Sequence, residues 1–134
     1  MVNGRNKGAA FERQMAKMLL DELGISFKRD LEQYRAGDHG DLIADDPAFP
    51  FVIECKRYAE GTGLRPGWWA QAQAAADAAK KIPAVIYKYD RRDIRVAIPL
   101  GAVFDDTDGH VVEMDVSAFC YIVREIMNGD EDGV

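Results

Sequence analysis

The most constraining stretch of this chain is Phe51–Tyr58, Phe-Val-Ile-Glu-Cys-Lys-Arg-Tyr. Rich in β-formers and preceded by Pro50, it reads as a strand. Side chains of a strand alternate between faces. Glu54 and Lys56 therefore project together, while Ile53 and Cys55 face the other way. Such a strand needs a sheet, and the flanking segments supply one. Upstream, Phe11, Met15, Met18, Leu19 and Leu23 recur at spacings of three and four, which predicts an amphipathic helix over 7–23, ended by Gly24. Ile25–Phe27 starts a first strand. Asp41–Ala44 forms a second, which Asp45-Asp46-Pro47 terminates. The polar segment between them reads as a loop or irregular strand. Asp41–Ala44 and Phe51–Cys55 then make a hairpin.

Downstream, a Gly-rich loop leads into an alanine-rich helix over 68–81, with Lys80 and Lys81 where cations suit the helix dipole. Ala84–Tyr89 and Ile94–Ile98 are further strands, and Val111–Met114 offers a sixth, short one. Asp115 or Ser117 caps a last helix over 118–127, with Phe119, Ile122, Val123 and Ile126 on one face. Asn128 onward reads as an acidic tail. The order α-β-β-β-α-β-β-(β)-α implies a single α/β domain, a mixed sheet of about five strands flanked by helices.

Composition narrows the function classes. No apolar run approaches the roughly 20 residues of a membrane span. The N-terminus lacks the apolar core of a secretory signal. Cys55 and Cys120 make neither a disulfide framework nor a four-ligand zinc site. The expectation is a soluble cytoplasmic protein. A net charge of −6 argues against a nucleic-acid binder when taken whole. Its distribution weakens that objection. Residues 105–134 hold nine acids and one base, so residues 1–104 carry a net charge of +2.

The hairpin brings Asp41 beside Glu54 on the face that carries Lys56. Two hard oxygen ligands with open positions suit Mg²⁺, which keeps several waters and also takes phosphate oxygens. A lysine beside them can stabilise charge that develops on phosphate. Taken alone, Glu-x-Lys in a strand is equally a surface ion pair worth about 0–1 kcal/mol. Three neighbours add weight. Glu12, next to Phe11 on the first helix, can border the same surface as a third carboxylate, or simply favour the helix dipole. The segment Arg35-Ala36-Gly37-Asp38-His39-Gly40 leads into Asp41 and allows close backbone approach to a ligand. Gln71 can reach a phosphate or an attacking water, or serve as a plain surface glutamine. Trp68 and Trp69 are open to base stacking, to anchoring a dimer, or to core packing. Cys55 and Cys120 read as buried small hydrophobes.

The ordered set Lys7-Gly8-x-x-x-Glu12-Arg13, Gly24, Arg29, Asp41-Leu42-Ile43-Ala44 and Ile53-Glu54-Cys55-Lys56 resembles the PD-(D/E)xK nuclease superfamily. Within it the pattern is nearest to archaeal-type Holliday-junction resolvases and their phage relatives. The likeness covers about residues 7–99. It implies a restriction-endonuclease-like fold and a metal-dependent endodeoxyribonuclease acting on Holliday junctions or other branched DNA in recombination or repair, as a homodimer. By resemblance, Asp41, Glu54 and the Cys55 carbonyl ligate Mg²⁺ or Mn²⁺, Lys56 positions the nucleophilic water, and Glu12 acts through a water or a second metal. Lys7, Arg13, Arg29, Arg35 and Arg57 cluster in sequence around the implied site and fit DNA contacts that track phosphates rather than sequence, or are ordinary surface charge. His39 can contact phosphate or relay a proton, or is a satisfied loop histidine. Gly40 stands where the superfamily often has proline, and Asp38-His39 occupy a loop in which the resolvases carry serine. A restriction-like or nicking enzyme of the same fold, or a non-catalytic DNA-binding or assembly protein, would share much of this pattern.

Overall fold

A computed structural model describes residues 4–31 and 40–132. Its elements follow in the order α1 (Gly4–Leu23), β1 (Phe27–Arg29), β2 (Leu42–Ala44), β3 (Phe51–Tyr58), α2 (Pro66–Ala79), β4 (Ile82–Tyr89), β5 (Arg95–Pro99), a 3₁₀ turn (Leu100–Ala102), β6 (Val111–Met114) and α3 (Val116–Asp132). The six strands form one sheet in sequence order. Every neighbouring pair is antiparallel except β3 and β4, which run parallel over eight paired rows from Phe51↔Ile82 to Tyr58↔Tyr89. A parallel pair needs a crossover, and α2 provides it.

Strand alternation sorts the core into two layers. On one face Phe51, Ile53 and Cys55 of β3, with Ala84 and Ile86 of β4 and Val96 and Ile98 of β5, pack against Phe11, Met15 and Leu19 of α1 and Phe119, Cys120 and Val123 of α3. On the other face Val85, Tyr87, Tyr89 and Ala97 meet Trp68 and Ala72 of α2, and Val52 meets Ala75 and Ala76. The alanines let α2 lie close to the sheet. The predicted face of the last helix is core: Phe119 and Val123 are fully buried, and Ile122 and Ile126 pack against them.

Several boundaries differ from expectation. The first strand begins at Phe27, because residues 24–26 turn the chain after the Gly24 N–H caps Leu20 O at 2.9 Å. The sheet has six strands, Val111–Met114 closing it as an edge. α3 starts at Val116, with the Asp115 carboxylate accepting the Ala118 N–H at 2.8 Å, and continues through 128–132 as helix. α2 runs Pro66–Ala79, starting and ending two residues before the expected 68–81. Lys80 is its left-handed C-cap, and Lys81 donates to the carbonyls of Pro47 and Phe49 at 3.2 and 2.7 Å.

Candidate active site

β2 and β3 share a single paired row, Leu42 opposite Ile53. Beyond it the Asp41 N–H donates to Ile53 O at 2.7 Å, and the next β3 amide on that edge, Cys55 N–H, donates to the Asp41 carboxylate at 2.6 Å. A side chain thus completes the ladder where the backbone of β2 diverges. In an extended strand the N–H and C=O of one residue share an edge, so the Cys55 carbonyl also faces the gap beside Asp41. Gly40 is required by this closeness. A Cβ there would lie 2.2 Å from Ile53 O, which explains a glycine at the position where proline was the resemblance's alternative.

Strand alternation puts Glu54 on the same side as Lys56. Asp41 and Glu54 are 5% and 3% exposed and hydrogen-bond each other through their carboxyl groups. Burial raises the pKa of both. For Glu54 the charge and hydrogen bond of Asp41 add to burial, Lys56 opposes them, and the carboxyl is pushed up to about 8. Two buried carboxyls in contact under this strain are a donor pair that a hard divalent cation would relieve. Lys56 Nζ donates to Gln71 Oε1 on α2 at 2.7 Å. From α1, Glu12 meets Arg29 Nε of β1 at 2.8 Å. Burial raises the Glu12 pKa, the Arg29 hydrogen bond opposes that rise, and the Asp41 charge adds to it.

These groups open on a cleft of about 550 Å³ lined by Lys7, Gly8, Glu12, Asp41, Lys56 and Gln71, with Arg57 and Tyr58 at its upper wall. Glu54 lies beneath, in contact with Asp41. Lys7 and Arg57 both reach one oxygen of Asp90, at 3.2 and 2.6 Å. Of the implied DNA contacts, Lys7 and Arg57 therefore line the cleft. Arg13 is exposed on α1 and stands outside its lining. Arg35, Asp38 and His39 lie outside the described residues. Trp68 is core, 7% exposed, stacked on Tyr58 with ring centroids 5.2 Å apart. Trp69 is half-buried beside it.

Sequence reasoning missed two supports. Arg29 pairs with a carboxylate rather than being left for phosphate. Asp90, which reads as a turn residue, gathers two cations at the cleft. Neither has a local signal, because each partnership is made by tertiary packing. Asp30 was also missed. It is buried beside Asp41, and its N–H donates to Asp41 O at 3.0 Å. Elsewhere, Asp106, Asp108 and His110 place ligand atoms within 4.8 Å of one another before β6. Asp106 accepts the Asp108 and His110 N–H groups and meets His110 Nδ1 at 2.9 Å, so bonds within the loop account for that cluster.

A mixed sheet with helices on both faces, an Asp on the hairpin, and Glu-x-Lys on the next strand define a PD-(D/E)xK nuclease-like protein. The chain belongs to the family described as "Phage putative PDDEXK endonuclease", whose profile matches residues 3–130. Among solved structures, the fold is similar to that of Hjc, a Holliday junction resolvase from the archaeal hyperthermophile Archaeoglobus fulgidus. The TM-score is 0.58 at 16% identity, covering 88% of this chain and 98% of that one. No curated protein matches. Among the described residues no helix is long and apolar enough to cross a membrane.

Proposed function

We propose that this endonuclease hydrolyses DNA phosphodiesters with the help of a divalent cation, and that its substrates are branched DNAs such as Holliday junctions, in recombination or repair. The observation that carries the reading is the convergence of Asp41, Lys56 and Glu12 on one cleft with cationic walls, with Glu54 buried against Asp41. Asp41, Glu54 and the Cys55 carbonyl would hold Mg²⁺ or Mn²⁺. When bound, the cation supplies positive charge against the phosphate oxygens. Lys56, braced by Gln71, orients the entering water and faces the charge that builds on phosphate. Glu12, fixed by Arg29, takes a hydrogen bond from solvent in the same cleft. Lys7 and Arg57 hold a neighbouring phosphate. Cutting paired strands calls for paired sites, so the working unit is a homodimer, which sedimentation analysis tests.

The deciding experiment is gel cleavage of labelled four-way junction, flap, nicked and linear duplex DNA, with Mg²⁺, Mn²⁺ or EDTA, beside Asp41→Asn. We expect metal-dependent cutting of the junction that drops at least about 100-fold in the variant, with DNA binding retained. Equal cutting of linear duplex would remove the preference for branched DNA and leave a restriction-like or nicking enzyme. No cutting by the folded protein with either metal would leave a DNA-binding module.

A further inference from the structure

An aromatic platform borders the cleft and takes no part in the chemistry described so far. Glu54, Lys56 and Tyr58 occupy one row of β3, two residues apart in turn. Tyr58 therefore lies about 6.6 Å along the strand from Lys56, which corresponds to roughly two rises of 3.4 Å along a DNA strand. It lines the cleft and is 41% exposed, while the tyrosines of β4 on that face, Tyr87 and Tyr89, are buried.

The platform is held from below and from the side. Tyr58 stacks on Trp68 at 21° between ring planes, and Trp68 in turn meets Tyr87 and Tyr89 with centroids 5.7 and 5.9 Å away. Tyr89 donates its hydroxyl to Gly63 O at 2.6 Å. The loop is pressed onto that ring at Gly61, whose φ of +147° excludes other residues and where a Cβ would lie 2.2 Å from the tyrosine. This loop delivers Arg65, whose guanidinium lies over the Tyr58 ring, 4.6 Å from its centroid, and over Trp68 at 4.9 Å. Arg65 uses one N–H on Glu60 O at 3.1 Å, out of the five an arginine carries.

We propose that Tyr58 and Arg65 form a stacking site for an unpaired nucleobase one or two nucleotides from the scissile phosphate. The inference rests on the nuclease reading and names the substrate feature that the site selects. A guanidinium plane laid over a rigid aromatic ring suits a base, which stacks on the plane or displaces it from the ring onto the neighbouring phosphate, and stacking of this kind tolerates any sequence. Bases in continuous duplex stack on one another and do not reach the tyrosine. Branch points, flaps and gaps release a nucleotide that does. Trp68 supports the ring from beneath and does not itself meet the base.

The test uses a duplex with one unpaired 2-aminopurine beside a branch point, read by fluorescence on binding in EDTA and by cleavage in Mg²⁺. Tyr58→Phe keeps the ring, and Tyr58→Leu removes it. We expect quenching with the wild type and with Tyr58→Phe, and a roughly 5- to 100-fold weaker, unquenched complex with Tyr58→Leu. The wild-type preference for the unpaired substrate over continuous duplex, as a KM ratio, collapses in Tyr58→Leu and survives in Tyr58→Phe. Unchanged quenching in Tyr58→Leu, or none in the wild type, overturns the proposal. Quenching that depends on the ring in a protein that cuts nothing would overturn the nuclease reading and leave the stacking site standing. Thermal melts of both variants exclude misfolding as the cause.

Discussion

At the scale of the residue, the informative group is Glu54. Its folded-state carboxyl titrates near 8 and its unfolded one near 4.5. Between those values the folded state holds a proton that the unfolded chain has released. Stability from this group is therefore full below about 4.5 and is lost as pH rises towards 8. The melting temperature of the metal-free protein is expected to fall across that window. In Glu54→Gln that part of the slope disappears. Mg²⁺ is expected to raise the melting temperature most above the window, where both carboxyls are ionised and a cation replaces the shared proton. Calorimetry over pH, with and without Mg²⁺, checks the three statements together.

At the scale of the element, the seam between β2 and β3 decides the geometry. Gly40→Ala puts a methyl against the Ile53 carbonyl. Relieving that contact pushes the start of β2 away and takes the Asp41 carboxylate off the Cys55 amide. A loss of about 1–3 kcal/mol in denaturant unfolding is expected, together with a larger proportional loss of cleavage than the stability change explains. Much of this seam is legible in the sequence. Period-two alternation places Glu54 with Lys56, and a hairpin places Asp41 beside them, because both relations are local. What escapes is set at long range. Lys7 meets Asp90 across 83 positions, and no spacing rule connects a helix N-terminus to the end of β4. The two aromatic positions near the cleft part in the same way: of the roles open to Trp68 it takes core packing, and Tyr58, to which the sequence assigned no role, is the exposed one. Trp68 is covered because α2 lays its first turn on the sheet, and Tyr58 is left exposed where β3 outruns that cover. Composition makes the pair equivalent, and only the crossing of the helix separates them.

At the scale of the whole molecule, the net charge of −6 and a role on DNA are compatible because of topology. Asp105, Asp106, Asp108, Glu113 and Asp115 gather around β6, the edge strand three places from β3 in the sheet. Strands are spaced about 4.8 Å apart, so the acids lie on the order of 14 Å from the cleft. That exceeds the screening length of about 8 Å at physiological salt. Affinity should therefore follow the few cations of the cleft rather than the overall charge. Lys7→Ala is expected to weaken DNA binding evenly across sequences and to reduce the slope of log affinity against log salt by about 0.9. Fluorescence titrations at several salt concentrations read that slope.

The one-rung joint at Leu42 and Ile53 gives the molecule an internal reporter. The β1–β2 ribbon is tied to β3 by that rung and the Asp41 contacts, whereas β3 and β4 share eight rows. Weakly tied units open at a lower free energy than the body of a sheet. The Cys55 amide, whose acceptor is a carboxylate rather than a backbone carbonyl, should trade its proton for deuterium sooner than the amides inside the β3–β4 ladder. A cation held by Asp41 would fasten the ribbon and slow that exchange, so a single backbone proton can register occupancy of the site before any DNA is cut.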